Sequence, residues 1–283
     1  WRYLRLTWSL QYQTIPGREM PFLIRNMASP NRPIIGIGNL SSPVLQSGVR
    51  DNWVGWTIEK FAKEYSRGNL VIKDFLKYLD KILDNGIKNT NKNELNISQD
   101  EIKKPNNNTI LRLENLDFKN SVDRINQLKN KDTSYNQSIN IVDISKEDLL
   151  KISNDPLWVM KRSRRLAKLL RAKMFLQKIY KNNDMHNASK ELFLTKEGST
   201  HVTFMLSEVR IEGLASKLVE LSVCGAIPPY NHLLGGKLVA LSTSSDEMQK
   251  FYDKKYRLKP SLMSSITAGK KVFRSTNIEI VTT

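Results

Sequence analysis

Two spacings of apolar residues divide the chain: short runs of strand character, concentrated toward its two ends, and a helical period between them. Trp1 to Trp8 (WRYLRLTW) alternates apolar with basic residues and predicts a strand, whose cations Arg2 and Arg5 point toward solvent or phosphate. Met20 to Arg25 and Pro33 to Leu40 predict two more strands across the turn Ser29-Pro30-Asn31, and strands this close in sequence pair as antiparallel hairpins. In Val49 to Thr57 (VRDNWVGWT), Trp53 and Trp56 share a face in a helix and lie on opposite faces in a strand. Aromatics of this size are most often core residues. Ile58 to Tyr65 reads as a short helix, and Gly68 to Leu83 as a weakly amphipathic one.

The pattern then changes. Asn85 to Asn140 holds fourteen Asn, many Lys and no Trp, too little apolar surface for a core, and predicts a low-complexity insertion of disorder or short helices. Ile139 to Ile144 reads as a strand, and Ser145 as the N-cap of a helix to Ser153. Asp155 to Tyr180 is the clearest helix, with Asp155 as N-cap and Pro156 at the first helical position. Val159, Leu166, Leu169, Leu170, Leu176 and Tyr180 fall on one face, and Lys161, Arg164, Arg165, Lys168, Arg171 and Lys178 on the other. No acidic residue follows Asp155 within it, unlike an ordinary solvated face, so the stripe fits a nucleic-acid backbone.

Beyond it, Ser199 to Leu206 predicts a strand bearing His201, and Glu208 to Leu218 a helix. Leu218 to Ala240 (LVELSVCGAIPPYNHLLGGKLVA) then reads as strand, loop and helix, the stretch around which the rest is organised. Gly225 is free to take unusual backbone angles, and Gly235 and Gly236 expose the first helical turn, where free N–H groups and Lys237 favour an anion. The plainer alternative is that the two glycines let the helix pack closely on a sheet. Asp246 to Tyr256 reads as a helix, Pro260 to Ile266 as a strand, Ala268 to Lys270 as a turn and Asn277 to Val281 as a last strand. The sum is an α/β (α+β) fold with a mixed, mostly antiparallel sheet, flanking helices and a helical, partly low-complexity insertion. Residues 1–67 and 206–283 form the core in two parts, and 68–205, including the basic helix 155–181, form the insertion.

Charge sharpens this reading. With 45 Lys and Arg against 28 Asp and Glu, the net charge of +17 favours anionic partners, nucleic acid first. A genome biased toward Lys and Asn is the competing explanation. The single Cys224 excludes a disulfide framework and fits a reducing, cytoplasmic setting. His186, His201 and His232 share no metal-ligand spacing, and no apolar run approaches the roughly twenty residues of a membrane span. A chain that begins at Trp1 rather than Met reads as a piece of a longer protein.

Six stretches, in this order, resemble one family, the DruA proteins of the Druantia anti-phage defence system. They are RLTWS (5–9), PIIGIGNLSSP (33–43), RDNWVGW (50–56), LWVMKRSRRLAKLLRAK (157–173), CGAIPPYNHLLGGKLVAL (224–241) and SLMSSITAGK (261–270). The resemblance implies a bacterial or archaeal cytoplasmic protein acting beside other defence components, including a large helicase-like partner. The element order is also similar to that of GNAT acyltransferases, which implies a GNAT-like core and acetyl-coenzyme A as cofactor. Gly235 and Gly236 would then hold the pyrophosphate, with Lys237 or Tyr230 near the acyl group. The GNAT glycine pattern itself is not matched.

Three functions follow: a defence subunit binding nucleic acid through the basic helix, a transferase modifying nucleic acid or protein, and a scaffold for the helicase partner. In the second, Arg50, Asp51, Trp53, Tyr230, Asn231 and Lys237 line the cleft, with Arg50, Asp51, Tyr230 and Lys237 as catalytic candidates. No residue presents itself as a general base.

Overall fold

The computed structural model describes residues 1–6, 17–129, 141–182 and 184–283. The chain opens with α1 (Arg2–Leu6), β1 (Glu19–Arg25), β2 (Ile34–Ser41), α2 (Gly48–Val54), α3 (Ile58–Ser66) and α4 (Ile72–Lys88). It continues through α5 (Gln99–Lys103), α6 (Asn107–Lys129), α7 (Lys146–Ser153), α8 (Pro156–Asn182), α9 (Met185–Leu194) and α10 (Lys196–Ser216). It ends with β3 (Leu218–Ala226), α11 (Asn231–Ser242), α12 (Asp246–Tyr256), α13 (Leu262–Ala268) and β4 (Ile280–Thr282). These elements form a mixed α and β fold in two compact units. Residues 1–47, 211–259 and 273–283 make a sheet unit, and 48–210 and 260–272 a helical unit.

In the sheet unit the strand order is β1-β2-β3-β4, antiparallel except for the parallel pair β3 and β4. One face buries Met20, Leu40, Val219 and Leu221 against Met248, Tyr252 and Tyr256 of α12. The glycines of the GIG motif make this packing possible. A Cβ on Gly38 would sit 2.2 Å from the Phe22 ring, and one on Gly36 2.6 Å from Val239 Cγ2 of α11. The hairpin expectation for β1 and β2 holds. The strand expected at Trp1 to Trp8 does not: Arg2–Leu6 is a helical turn, closed by the Arg5 N–H on the Trp1 carbonyl, while 7–8 lie outside the described residues.

The helical unit is built around α8. Its apolar face is buried as expected, but Trp158, Ala167, Ala172, Phe175 and Ile179 are buried too, so neighbours surround it on most sides. Tyr180 departs from the expected apolar face; it is 39% exposed, and its hydroxyl donates to Asp80 at 2.6 Å. Helix α4 is more strongly amphipathic than expected, burying Phe75, Leu76, Leu79 and Leu83. The Asn-rich stretch is not coreless: Leu95, Ile102, Ile110 and Leu113 join the main core, and α6 is a 23-residue helix packed along α8. A few well-spaced apolar residues suffice because α8 supplies the other wall. Ser98 and Glu101 form a reciprocal capping box at α5, and Ser145 caps α7 as predicted, accepting the Asp148 N–H.

Three predicted strands are not formed. Residues 141–143 are a turn, and 139–140 lie outside the described residues. Ser199 to Leu206 lies within α10, where Val202, Met205 and Leu206 are buried at helical spacing, so packing overrides the β-branched composition. Pro260 to Ile266 contributes to α13, which stops at Gly269 in the left-handed region (φ 65°) and buries Ile266 with Leu149 and Trp158.

Candidate nucleic-acid interface and glycine loop

Between Lys161 and Lys178 the exposed side chains of α8 are Lys161, Arg164, Lys168, Arg171 and Lys178, all cations at helical spacing, with Arg165 half-buried beside them. Half of these six pair with acids from elsewhere in the helical unit. Arg164 grips Asp117 of α6 with two hydrogen bonds of 2.9 and 3.1 Å, and that carboxylate raises its pKa further. Arg171 meets Glu114 of the same helix at 2.6 Å, and Arg165 pairs with Glu208 of α10. The Lys161 ammonium lies 4.6 Å from the centre of the Trp158 ring. Lys168 and Lys178 have no ion pair among the described residues. The acids missing from α8's own sequence therefore come from α6 and α10, which spacing within one helix could not reveal.

Another cation of this helix, Arg162, is wholly buried. Its guanidinium donates to the carbonyls of Asn91, Asn93 and Ser153 at 2.8, 3.0 and 2.7 Å. Burial lowers its pKa to about 10. Near the far end of the helix, Arg171, Lys178, Glu197 and His201 line a cavity of about 340 Å3. The His201 ring packs against Phe175 at 5.0 Å, and burial pushes its pKa down.

The second candidate is the loop after β3. Gly225 pairs with Ile37 inside the ladder and needs no special angles. Gly235 does: at φ 57° and ψ −176° it interrupts α11, and a Cβ there would meet nothing within 4 Å. A Cβ on Gly236 would lie 3.9 Å from the Cys224 carbonyl, while the Cys224 thiol donates to the Gly236 carbonyl at 3.3 Å. Burial pushes that thiol's pKa up. Lys237 is exposed and Tyr230 half-buried. Gly235 thus faces open space, and the glycine that brings α11 onto the sheet is Gly36 of β2, not Gly235 or Gly236. Among the described residues, β3 is paired on the side of β4 only at Leu218, Val219 and Glu220, and its later residues have no strand beside them there.

Arg50 and Asp51 belong to the helical unit, whereas Tyr230, Gly235, Gly236 and Lys237 belong to the sheet unit. Asp51 is buried and receives the Arg50 guanidinium at 2.9 and 3.1 Å on one oxygen and Arg210 at 2.9 Å on the other. Both carboxylate oxygens are engaged by cations, an arrangement that fixes α2 against α10. Trp53, expected in a core, is 76% exposed.

Comparison with known families bears on the sheet unit most directly. The family model described as "Druantia protein DruA" matches residues 1–76 and 204–278, more than half of the chain. The chain belongs to the DruA family. The match assigns it to the Druantia anti-phage defence system as one of its subunits. It contains the RLTWS, PIIGIGNLSSP, RDNWVGW, CGAIPPYNHLLGGKLVAL and SLMSSITAGK stretches, but α8 lies outside it. No curated protein and no solved structure matches the chain. Among the described residues no helix is long and apolar enough to cross a membrane.

Proposed function

We propose that this DruA-family chain is the Druantia subunit that contacts nucleic acid, and that α8 carries the contact. The observation behind the reading is that every exposed side chain of α8 from Lys161 to Lys178 is cationic, in a chain of net charge +17. The ion pairs of Arg164 and Arg171 are no obstacle. Their guanidinium side chains are 53% and 46% exposed, and exposed pairs contribute about 0–1 kcal/mol, so a phosphate competes for them readily. Residues 68–205 are then an insertion that adds a backbone-binding face to a core formed by 1–67 and 206–283, a division consistent with the gap in the family match.

The test is binding to labelled single- and double-stranded DNA over a salt series. Lys161, Lys168 and Lys178 are the residues to reverse to Glu, because Arg165 faces Glu208 and its reversal would disturb the fold. If all three contact phosphates of duplex DNA, the slope of log K against log salt falls by about 3 in magnitude, roughly 0.9 per contact. An unchanged slope in a folded variant removes α8 from the interface. Binding to a helicase partner but not to DNA would place the charge in assembly instead.

A second reading rests on the glycine loop. The open backbone at Gly235, together with the unpaired later part of β3, leaves room for an elongated anionic cofactor beside Lys237, as in a GNAT-like transferase using acetyl-coenzyme A. Calorimetry with acetyl-coenzyme A checks it: binding lost in Gly235→Val and Lys237→Glu supports it, and no heat with the parent chain ends it.

A further inference from the structure

The sheet ends at β1, whose outer edge carries a partly unused row of backbone groups. Ser42 donates its N–H to the Arg18 carbonyl at 2.8 Å, so the alternation of an antiparallel ladder turns the N–H and C=O groups of Glu19, Pro21 and Leu23 away from β2. The Glu19 end of this edge is closed. Its N–H donates to the Tyr256 hydroxyl at 2.8 Å, and its carbonyl accepts from Lys255 Nζ at 2.8 Å. Pro21 offers no N–H at all. The Pro21 carbonyl and both backbone groups of Leu23 meet no hydrogen-bond partner among the described residues.

Beside this open part lies a groove of about 960 Å3 between β1 and α12. Phe22, Ile24, Met27, Met248 and Phe251 give it an apolar wall. Two of them are conspicuously unsheltered, Met27 at 65% and Phe251 at 62% exposure. The charged residues in its lining are Arg25, Lys254 and Lys255 against the single acid Glu247.

We infer that this groove takes an extended peptide segment of a partner protein, apolar at alternate positions and acidic beside them, added to β1 as a fifth strand. A strand edge next to a helix is suited to this. Main-chain bonds to Pro21 and Leu23 hold the peptide, and every second side chain enters the groove over Met248 and Phe251. The excess of cations in the lining selects the acidic flank. The closed Glu19 end and the missing donor of Pro21 limit pairing to a few residues, which is also what discourages indiscriminate sheet-to-sheet association. The site lies wholly within the sheet unit and uses no residue of α8 or of the glycine loop.

The experiment is selection of a phage-displayed library of random peptides against the full chain. The expected result is enrichment of peptides with alternating apolar residues and at least one Asp or Glu. A synthetic peptide from that pool, followed by fluorescence anisotropy, should lose tenfold or more in affinity to Phe251→Glu and to Leu23→Pro. Because Phe251 is exposed, its variant should keep the parent's circular dichroism. Selection repeated on Lys254→Glu should weaken or reverse the acidic preference. No enrichment, or enriched peptides that bind Phe251→Glu and Lys254→Glu as tightly as the parent, overturns the inference.

Discussion

Arg162→Met removes a buried guanidinium while keeping much of its length and volume, so the main loss is hydrogen bonding. Three carbonyls, those of Asn91, Asn93 and Ser153, lose their donor at once. Leaving one buried polar group unsatisfied costs about 1–3 kcal/mol. Asn91 and Asn93 share a single nitrogen of Arg162 and can relax together, so the expected loss is about 3–6 kcal/mol rather than the full threefold sum. Urea unfolding reads this through tryptophan fluorescence, since Trp53, Trp56 and Trp158 all lie in the helical unit. With a urea slope of about 1–3 kcal/mol per molar, the midpoint should fall by more than about 1 M. Arg162→Lys should recover only part of the loss, because one ammonium cannot copy the fork that reaches three carbonyls. A loss below about 1 kcal/mol for the Met variant would refute the reasoning and show that water or backbone shifts satisfy those carbonyls.

Gly38→Ala places a methyl 2.2 Å from the Phe22 ring and should destabilise the sheet unit by about 1–3 kcal/mol; Phe22→Leu in the same chain should return part of it, read by thermal unfolding. Asp51→Asn keeps the shape but strips the charge that Arg50 and Arg210 share, and a loss of about 3–5 kcal/mol is expected in the urea assay above. His201 gives a pH dependence. Burial holds its folded-state pKa below the ordinary 6.5, so the unfolded chain takes up the proton first as the pH falls. Stability contributed by the neutral ring is therefore present above pH 6.5 and declines below it. His201→Phe should flatten the unfolding midpoint between pH 7 and 5, and an unchanged profile would contradict the assignment.

The sequence carried the sheet's centre legibly. Residues of β1, β2 and β3 have the apolar runs and flanking turns that strands require, and α12 lies where its acidic start and basic end placed it. It failed where a β-branched stretch was recruited by packing, as in Val202 of α10, and where Ser261 and Gly269 mark the ends of a helix too short to show a period. The exposed cations of α8 were legible apart from the half-buried Arg165, but Tyr180 was misplaced on the apolar face and the charge balance was missed, because Glu114, Asp117 and Glu208 are distant in sequence. Arg162 was beyond sequence reasoning altogether. Among the eight cations from Lys161 to Lys178, nothing but position within the core distinguishes the one that holds three carbonyls from those that meet solvent.

Neither unit is a continuous stretch of chain, and that has a consequence during synthesis. Asn39 of β2 hydrogen-bonds Ser222 of β3 across 183 residues. At about 5–20 residues per second, a ribosome needs roughly 10–40 s to deliver β3 after β2 has emerged. Through that interval the β1–β2 hairpin has one long edge bare, while most of the helical unit is made and can close. The hairpin, though it precedes most of the helical unit in the chain, is therefore among the last parts to be finished, and in the meantime the edge of β2 is open to wrong pairing.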